Sequence, residues 1–167
     1  TNEIRVAAPM LDAIAIKGKT ITADALLTQR EFARYLVGRG AHYHFTVKGN
    51  QATLRDDLTT HFQGALKTAD FTHTGGGEHG RIETRKIWVT TKLNHYLDFP
   101  HDGQAFMIER ESIRKKTGQV SREVVYGITS IPADHATPEQ VLRDNRGHWS
   151  VESCHYIIDW NYDEDRS

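Results

Sequence analysis

The sequence is nearly without cysteine. Its one thiol, Cys154, excludes an internal disulfide framework and fits a reducing, cytoplasmic setting. There is no long apolar run to cross a bilayer, and no signal peptide is expected. There is almost no net charge: 21 Lys and Arg stand against 22 Asp and Glu, for −1 at pH 7. No overall basic field therefore marks a nucleic-acid binder, and any such surface must come from local clustering. Internal repeats and low-complexity stretches are absent. The run Gly75-Gly76-Gly77 lacks the Gly-Lys-Ser/Thr of a phosphate loop, so it reads as a flexible loop without a nucleotide role. The chain opens on Thr1-Asn2-Glu3-Ile4 without an initiator Met and is expected to be a fragment of a longer protein. What is present, 167 residues of ordinary composition, suffices for one domain with a real core.

The organising stretch is Lys19 to Leu26. Ile21 with small or β-branched neighbours suits a buried strand that Asp24 closes. Thr28-Gln29-Arg30-Glu31 has capping-box spacing and predicts a helix capped by Thr28. A short helix over 9–14 is expected before the strand, with Pro9 at its first position and Leu11 and Ile14 buried. After it come a helix over 29–37 ended by Gly38 and Gly40, a strand over 43–47, a turn, and a helix over 51–66. That order is the α/β pattern of a partly parallel sheet. Strands are then expected over 81–91, 105–113 and 122–131, the last two joined at a basic turn, Arg114 to Gly118. Thr137-Pro138-Glu139-Gln140 caps another helix, Gly147 is a candidate break, and helical pattern resumes over 149–160. Three parts result: an α/β part (1–66), a β-rich insertion (69–131) and a C-terminal helical part (137–160).

Chemistry concentrates in few places. Strand ends gather reactive groups in open α/β sheets, so Asp24 is a candidate metal ligand, against the plainer reading of a turn aspartate. Glu152, His155 and Asp159 share one helix face, and a carboxylate there could meet Asp24. Two carboxylates from different elements are what a magnesium site needs. Rival metal readings are weaker. Glu152 to His155 is one Glu-x-x-His step without a second copy. His42 and His44 share a strand face but lack further zinc ligands, and read as half-exposed strand residues. Cys154 reads as a packed thiol. Candidate phosphate contacts are Lys48, past a strand end, then His79, Arg81, Arg85 and Lys86 on one strand, then Arg114, Lys115 and Lys116 at the hairpin tip, with Arg146 near the last helix. Taken singly, each is as well explained as solvated charge.

Four ordered motifs carry a resemblance over nearly the whole chain. They are Thr22 to Glu31, Phe45 to Gln51, His79 to Glu83, and Arg146 to Glu152 followed by Asp159 and Glu164 to Ser167. The chain resembles bacterial insertion-sequence transposases of the H-repeat-associated type, with a DDE catalytic domain. The resemblance implies an RNase H-like mixed sheet flanked by helices, with a β-rich insertion before the C-terminal helix. It implies two aspartates and a glutamate holding two Mg2+ (or Mn2+) ions. By motif position Asp24 matches the second acid and Glu152 the third. The first acid, on the family's opening strands, is expected upstream of Thr1. The Tyr-Arg-Glu-Lys signature of related transposases is not met, because His148 and Asp159 stand at its Arg and Lys places.

The resemblance implies DNA as partner, a possible homodimer, no membrane, and cleavage with strand transfer by the full-length protein. The isolated 167 residues are expected to be inactive. The alternatives are a catalytically silent remnant that at most binds DNA, and an RNase H-like nuclease.

Overall fold

The computed structural model describes residues 2–24, 28–64, 68–76 and 79–150, with side chains from Ala7 to Gly147 of those. The predicted features at Glu152, Cys154, His155 and Asp159, and the helical run beyond Ser150, lie outside the described residues. So do the side chains of Ile4, His148 and Trp149.

The elements follow the order α1 (Asn2–Asp12), β1 (Thr20–Ala23), α2 (Arg30–Gly38), β2 (His42–Val47), a 3₁₀ turn (Gly49–Gln51), α3 (Ala52–Gln63), β3 (Phe71–Gly76), β4 (Arg81–Thr90), β5 (Gln104–Arg114), β6 (Val120–Thr129) and α4 (Pro138–Ser150). One six-stranded sheet has the order β1-β2-β6-β5-β4-β3. β1 and β2 are parallel, and every other pair is antiparallel. A parallel pair needs a crossover, and α2 supplies it. The architecture is α/β, a mixed sheet with helices on both faces, consistent with an RNase H-like fold. The β-rich run is continuous with the α/β part: β6 returns beside β2, so both share one sheet.

Alternation along the strands divides the core in two. On one face Tyr43, Phe45, Ala105 and Ile128 meet Phe32 and Leu36 of α2 and Leu54, Leu58 and Phe62 of α3. The Phe32 and Phe45 rings stack at 5.8 Å. On the other face Ile87, Phe106 and Ile108 meet Val141 and Leu142 of α4. The segment between β4 and β5 adds Leu93, Leu97 and Phe99 to the first core, a contribution without a periodic sequence signal.

Several expectations are corrected. α1 starts at Asn2 and runs through Pro9 instead of beginning there. The missing Pro9 N–H removes one intrahelical bond. The helix end is held from outside, where the Arg39 guanidinium donates to the Leu11 and Ile14 carbonyls at 2.8 Å each. Ile14 is past that end and 43% exposed, not buried. Gly75 and Gly76 belong to β3, not to a loop. A Cβ at Gly76 would lie 2.9 Å from the Arg81 carbonyl oxygen and the Ile82 Cα, so the close pairing of β3 with β4 explains glycine there. Gly147 does not break α4, which continues to Ser150.

The two predicted capping boxes part company. At α4 the box is complete: the Thr137 N–H donates to Gln140 Oε1 at 2.8 Å, and the Gln140 N–H returns to Thr137 Oγ1 at 3.3 Å. At α2 the Thr28 cap is overturned. The N-cap is Gln29, without a side-chain capping bond to the helix, because the Thr28 hydroxyl is engaged inside the fold.

A candidate active-site cleft at the end of the first strand

β1 delivers Asp24. Ala23 is buried against the first core, and the next residue emerges, exposed, at the carboxyl end of the strand. Parity places Asp24 on the α4 side of the sheet with Thr22, whose register partner is His44.

Thr28 ties this strand end to the next. Its hydroxyl is fully buried and lies 3.0 Å from the Asp24 carbonyl oxygen and 2.6 Å from that of Thr46. One proton serves one carbonyl at a time. Gln51 Nε2 donates to the Thr28 carbonyl at 2.8 Å, adding the 3₁₀ turn to the same junction. This engagement is the physical reason that Thr28 does not cap α2. Thr28→Val should lower stability by about 1–3 kcal/mol, because buried carbonyls lose their donor. Thr28→Ser should recover most of that loss in urea unfolding midpoints.

α4 closes the other side. His44 of β2 is buried, stacked 4.6 Å from Phe106, with Nε2 3.1 Å from Asn145 Oδ1. The half-exposed state expected for His44 is thus corrected, because α4 covers that face. His42 remains half-buried with Nδ1 3.4 Å from Ser130 Oγ. Among the described residues no group of three or more His, Cys, Asp or Glu, these two histidines included, could hold an ion.

Beyond the Val141 and Leu142 contacts, the strand rows under α4 turn polar. Register runs His73–Arg85–Arg110–Glu123 across β3, β4, β5 and β6. A cleft of about 320 Å³ opens there, lined by Asp24, Thr46 and Lys48 at the strand ends, Ile108 and Val125 as floor, Arg85, Arg110 and Glu123, and Asn145 and Arg146 of α4. Four cations face two carboxylates, so the local charge is positive although the chain's total is −1. Arg85 Nη2 lies 2.8 Å from Glu83 Oε2. Burial pulls the Arg85 pKa below its usual range, Glu83 pulls it back, and Arg146 and Arg110 press it down again. Arginine stays charged under such shifts.

Asp24, Lys48, Arg85 and Arg146 therefore line one cleft. The other basic residues lie elsewhere. Arg81 pairs with Arg114 at the far end of the β4–β5 ladder. The Lys115 N–H donates to the Gly80 carbonyl at 2.9 Å, which places His79, Lys115 and Lys116 at that tip. Arg110, Glu123, Asn145 and Thr46 were not singled out from the sequence. For Thr46, Arg110 and Glu123 the signal is cross-strand register, which a strand's own residues do not display, and for Asn145 it is the packing of α4 on His44.

The opening motif anticipates an aspartate closing a strand; Asp24 follows β1 and lines the rim of a basic cleft. The family described as transposase DDE domain matches residues 1–167. This chain belongs to that family. Over 143 residues the DDE domain is 36% identical to "Uncharacterized protein in dhlA 3'region" of Xanthobacter autotrophicus, covering 80% of this chain and 46% of that protein. It is 30% identical over 177 residues to "H repeat-associated putative transposase YhhI" of Escherichia coli K12, covering 99% of this chain and 46% of the relative. A second H repeat-associated relative of that strain, YbfD, is 34% identical over 104 residues, covering 59% and 40%. The DDE domain thus spans about half the length of the curated relatives it matches. Among its described residues no helix is long and apolar enough to cross a membrane.

The donor chemistry suits a hard cation on one side only. Asp24 offers a carboxylate of the kind Mg2+ or Mn2+ takes, while Glu152 lies outside the described residues. The other carboxylate lining the cleft among the described residues, Glu123, is already bonded to Arg110 at 3.0 Å.

Proposed function

We propose that the protein containing this domain carries out DNA transposition: it cleaves a DNA strand and joins the freed 3′-hydroxyl to a new strand. The observation that carries the reading is the family match across the whole chain together with Asp24 at the rim of a positively charged cleft. Asp24 and Glu152 would hold the Mg2+ or Mn2+ ions, and Glu152 is the finer part of the proposal.

Bound divalent ions supply an activated water or hydroxyl and stabilise the leaving oxygen of an in-line displacement. The chain's own groups do the rest. The Asp24 carboxylate anchors the reacting centre at a strand end fixed by Thr28. Lys48, Arg85 and Arg146 hold backbone phosphates, positioning DNA without reading its sequence. His79, Arg81, Arg114, Lys115 and Lys116 would form a second phosphate-contacting group at the hairpin tip. A homodimer on paired DNA ends completes the reading.

The test is a strand-transfer assay on the full-length protein with its own end sequences. Metal-dependent cleavage followed by joining, both lost in Glu152→Gln, is the expected outcome. Cleavage without joining would favour the RNase H-like nuclease. DNA binding without either reaction would favour a silent binding domain.

A further inference from the structure

On the face of the β4–β5–β6 ladder away from α4, register matches opposite charges. Lys86 stands opposite Glu109, and Glu111 opposite Arg122, the latter pair bonded at 2.9 Å. On the α4 face Arg110 stands opposite Glu123 across β5 and β6, but the β4–β5 pairs do the reverse. Arg85 stands directly opposite Arg110, and Arg81 directly opposite Arg114. Like charges opposed across strands destabilise a sheet. Arg146 adds a third guanidinium over the first pair, reaching His73 at 3.5 Å and raising the local charge. Two carboxylates answer these three cations: Glu83 on Arg85 and Glu123 on Arg110. The second is weakly held, with the Arg110 and Glu123 side chains 39% and 58% exposed. Exposed pairs of this kind contribute little.

We propose that the Arg85–Arg110–Arg146 corner is an exchangeable anion site. It takes a backbone phosphate of the bound nucleic-acid strand in place of the Glu123 carboxylate. Arginine binds phosphate through paired, charge-assisted hydrogen bonds, a stronger arrangement than one exposed carboxylate contact. The Arg81–Arg114 pair lies four residues along the same ladder, on the same face, about 13 Å away at strand rise. Two stations on one face suit a polyanionic strand rather than a mononucleotide. The strand would run from the Asp24 cleft along β4 and β5 toward the hairpin tip. The inference rests on the transposase reading for its ligand class, and it adds Arg110 as a binding residue and Glu123 as the placeholder that leaves.

The experiment is a salt series of equilibrium DNA-binding measurements on the full-length protein in EDTA, where metal chemistry plays no part. Arg110→Gln should weaken binding about eightfold at 0.1 M salt and reduce the log–log salt slope by about 0.9, the signature of one lost phosphate contact. Arg110→Lys should keep the slope. Glu123→Gln should tighten binding, a gain that misfolding cannot imitate. Arg122→Gln, on the opposite face, should match wild type. Arg110→Gln or Glu123→Gln indistinguishable from Arg122→Gln would overturn the anion site. If Asp24→Asn abolished cleavage in the same preparations, the transposase reading would survive that result. Normal cleavage by Asp24→Asn alongside a weakened Arg110→Gln would reject the transposase site and retain the anion site.

Discussion

Asp24→Asn in the full-length protein should lower metal-dependent strand cleavage by about 10³-fold without lowering DNA affinity in EDTA. The side chain is exposed at the cleft rim, and the residue's backbone carbonyl accepts from buried Thr28. Replacing the carboxylate by an amide of the same shape leaves that junction in place. What would be lost is the charged oxygen proposed as a metal ligand. Metal-borne charge stabilisation is worth several kcal/mol, and about 1.4 kcal/mol is tenfold in rate, so a loss near three decades follows. Single-turnover cleavage rates check the first half, and binding isotherms check the second. A loss of affinity equal to the loss of rate would instead make Asp24 a structural residue.

Gly127→Ala should destabilise the fold by about 3 kcal/mol or more, at or above the upper end of what overpacking costs. Gly127 lies in the buried part of β6, opposite Thr46 of β2 and Phe106 of β5. A Cβ there would lie 2.1 Å from Phe106 Cζ and 2.6 Å from the Phe45 carbonyl oxygen. The ring cannot simply step aside, because Phe106 is fully buried and stacks on His44, which in turn holds Asn145 of α4. The strain would pass along this chain of contacts to the helix that walls the cleft. Urea unfolding measures the loss. Gly103→Ala, where the obstruction is the Ser130 and Ile131 backbone, should behave similarly.

The elements were legible in the sequence where a local pattern is also the final arrangement. The α4 capping box is an example: Thr137 and Gln140 reach only each other's backbone or side chain. The strand ending at Asp24 was legible for the same reason. Thr28 shows the limit. It carries the same capping spacing, yet its hydroxyl turns to a carbonyl 18 residues away, and a long-range bond prevails over the local motif. Gly75 and Gly76 failed as a loop because close strand pairing favours glycine as readily as a turn does. At the site, Asp24, Lys48, Arg85 and Arg146 were named from motif and charge. Arg110 and Glu123 were not, because register across three strands brings them beside Arg85, and Asn145 was not, because the packing of α4 over His44 places it there. Pro9 misled through its preference for a first helical turn, a preference that Arg39 makes unnecessary by holding the helix end.

The central claim is that Asp24 and Glu152 share divalent cations at the rim of this sheet. The most direct test is a crystal structure of the full-length protein with Mn2+, located by anomalous scattering. The account predicts an anomalous peak in the cleft with oxygens of both carboxylates at about 2.0–2.3 Å, near the bond lengths of hard divalent ions. A well-ordered metal bound by one of them without the other, or the two side chains on opposite faces of the sheet, would contradict it.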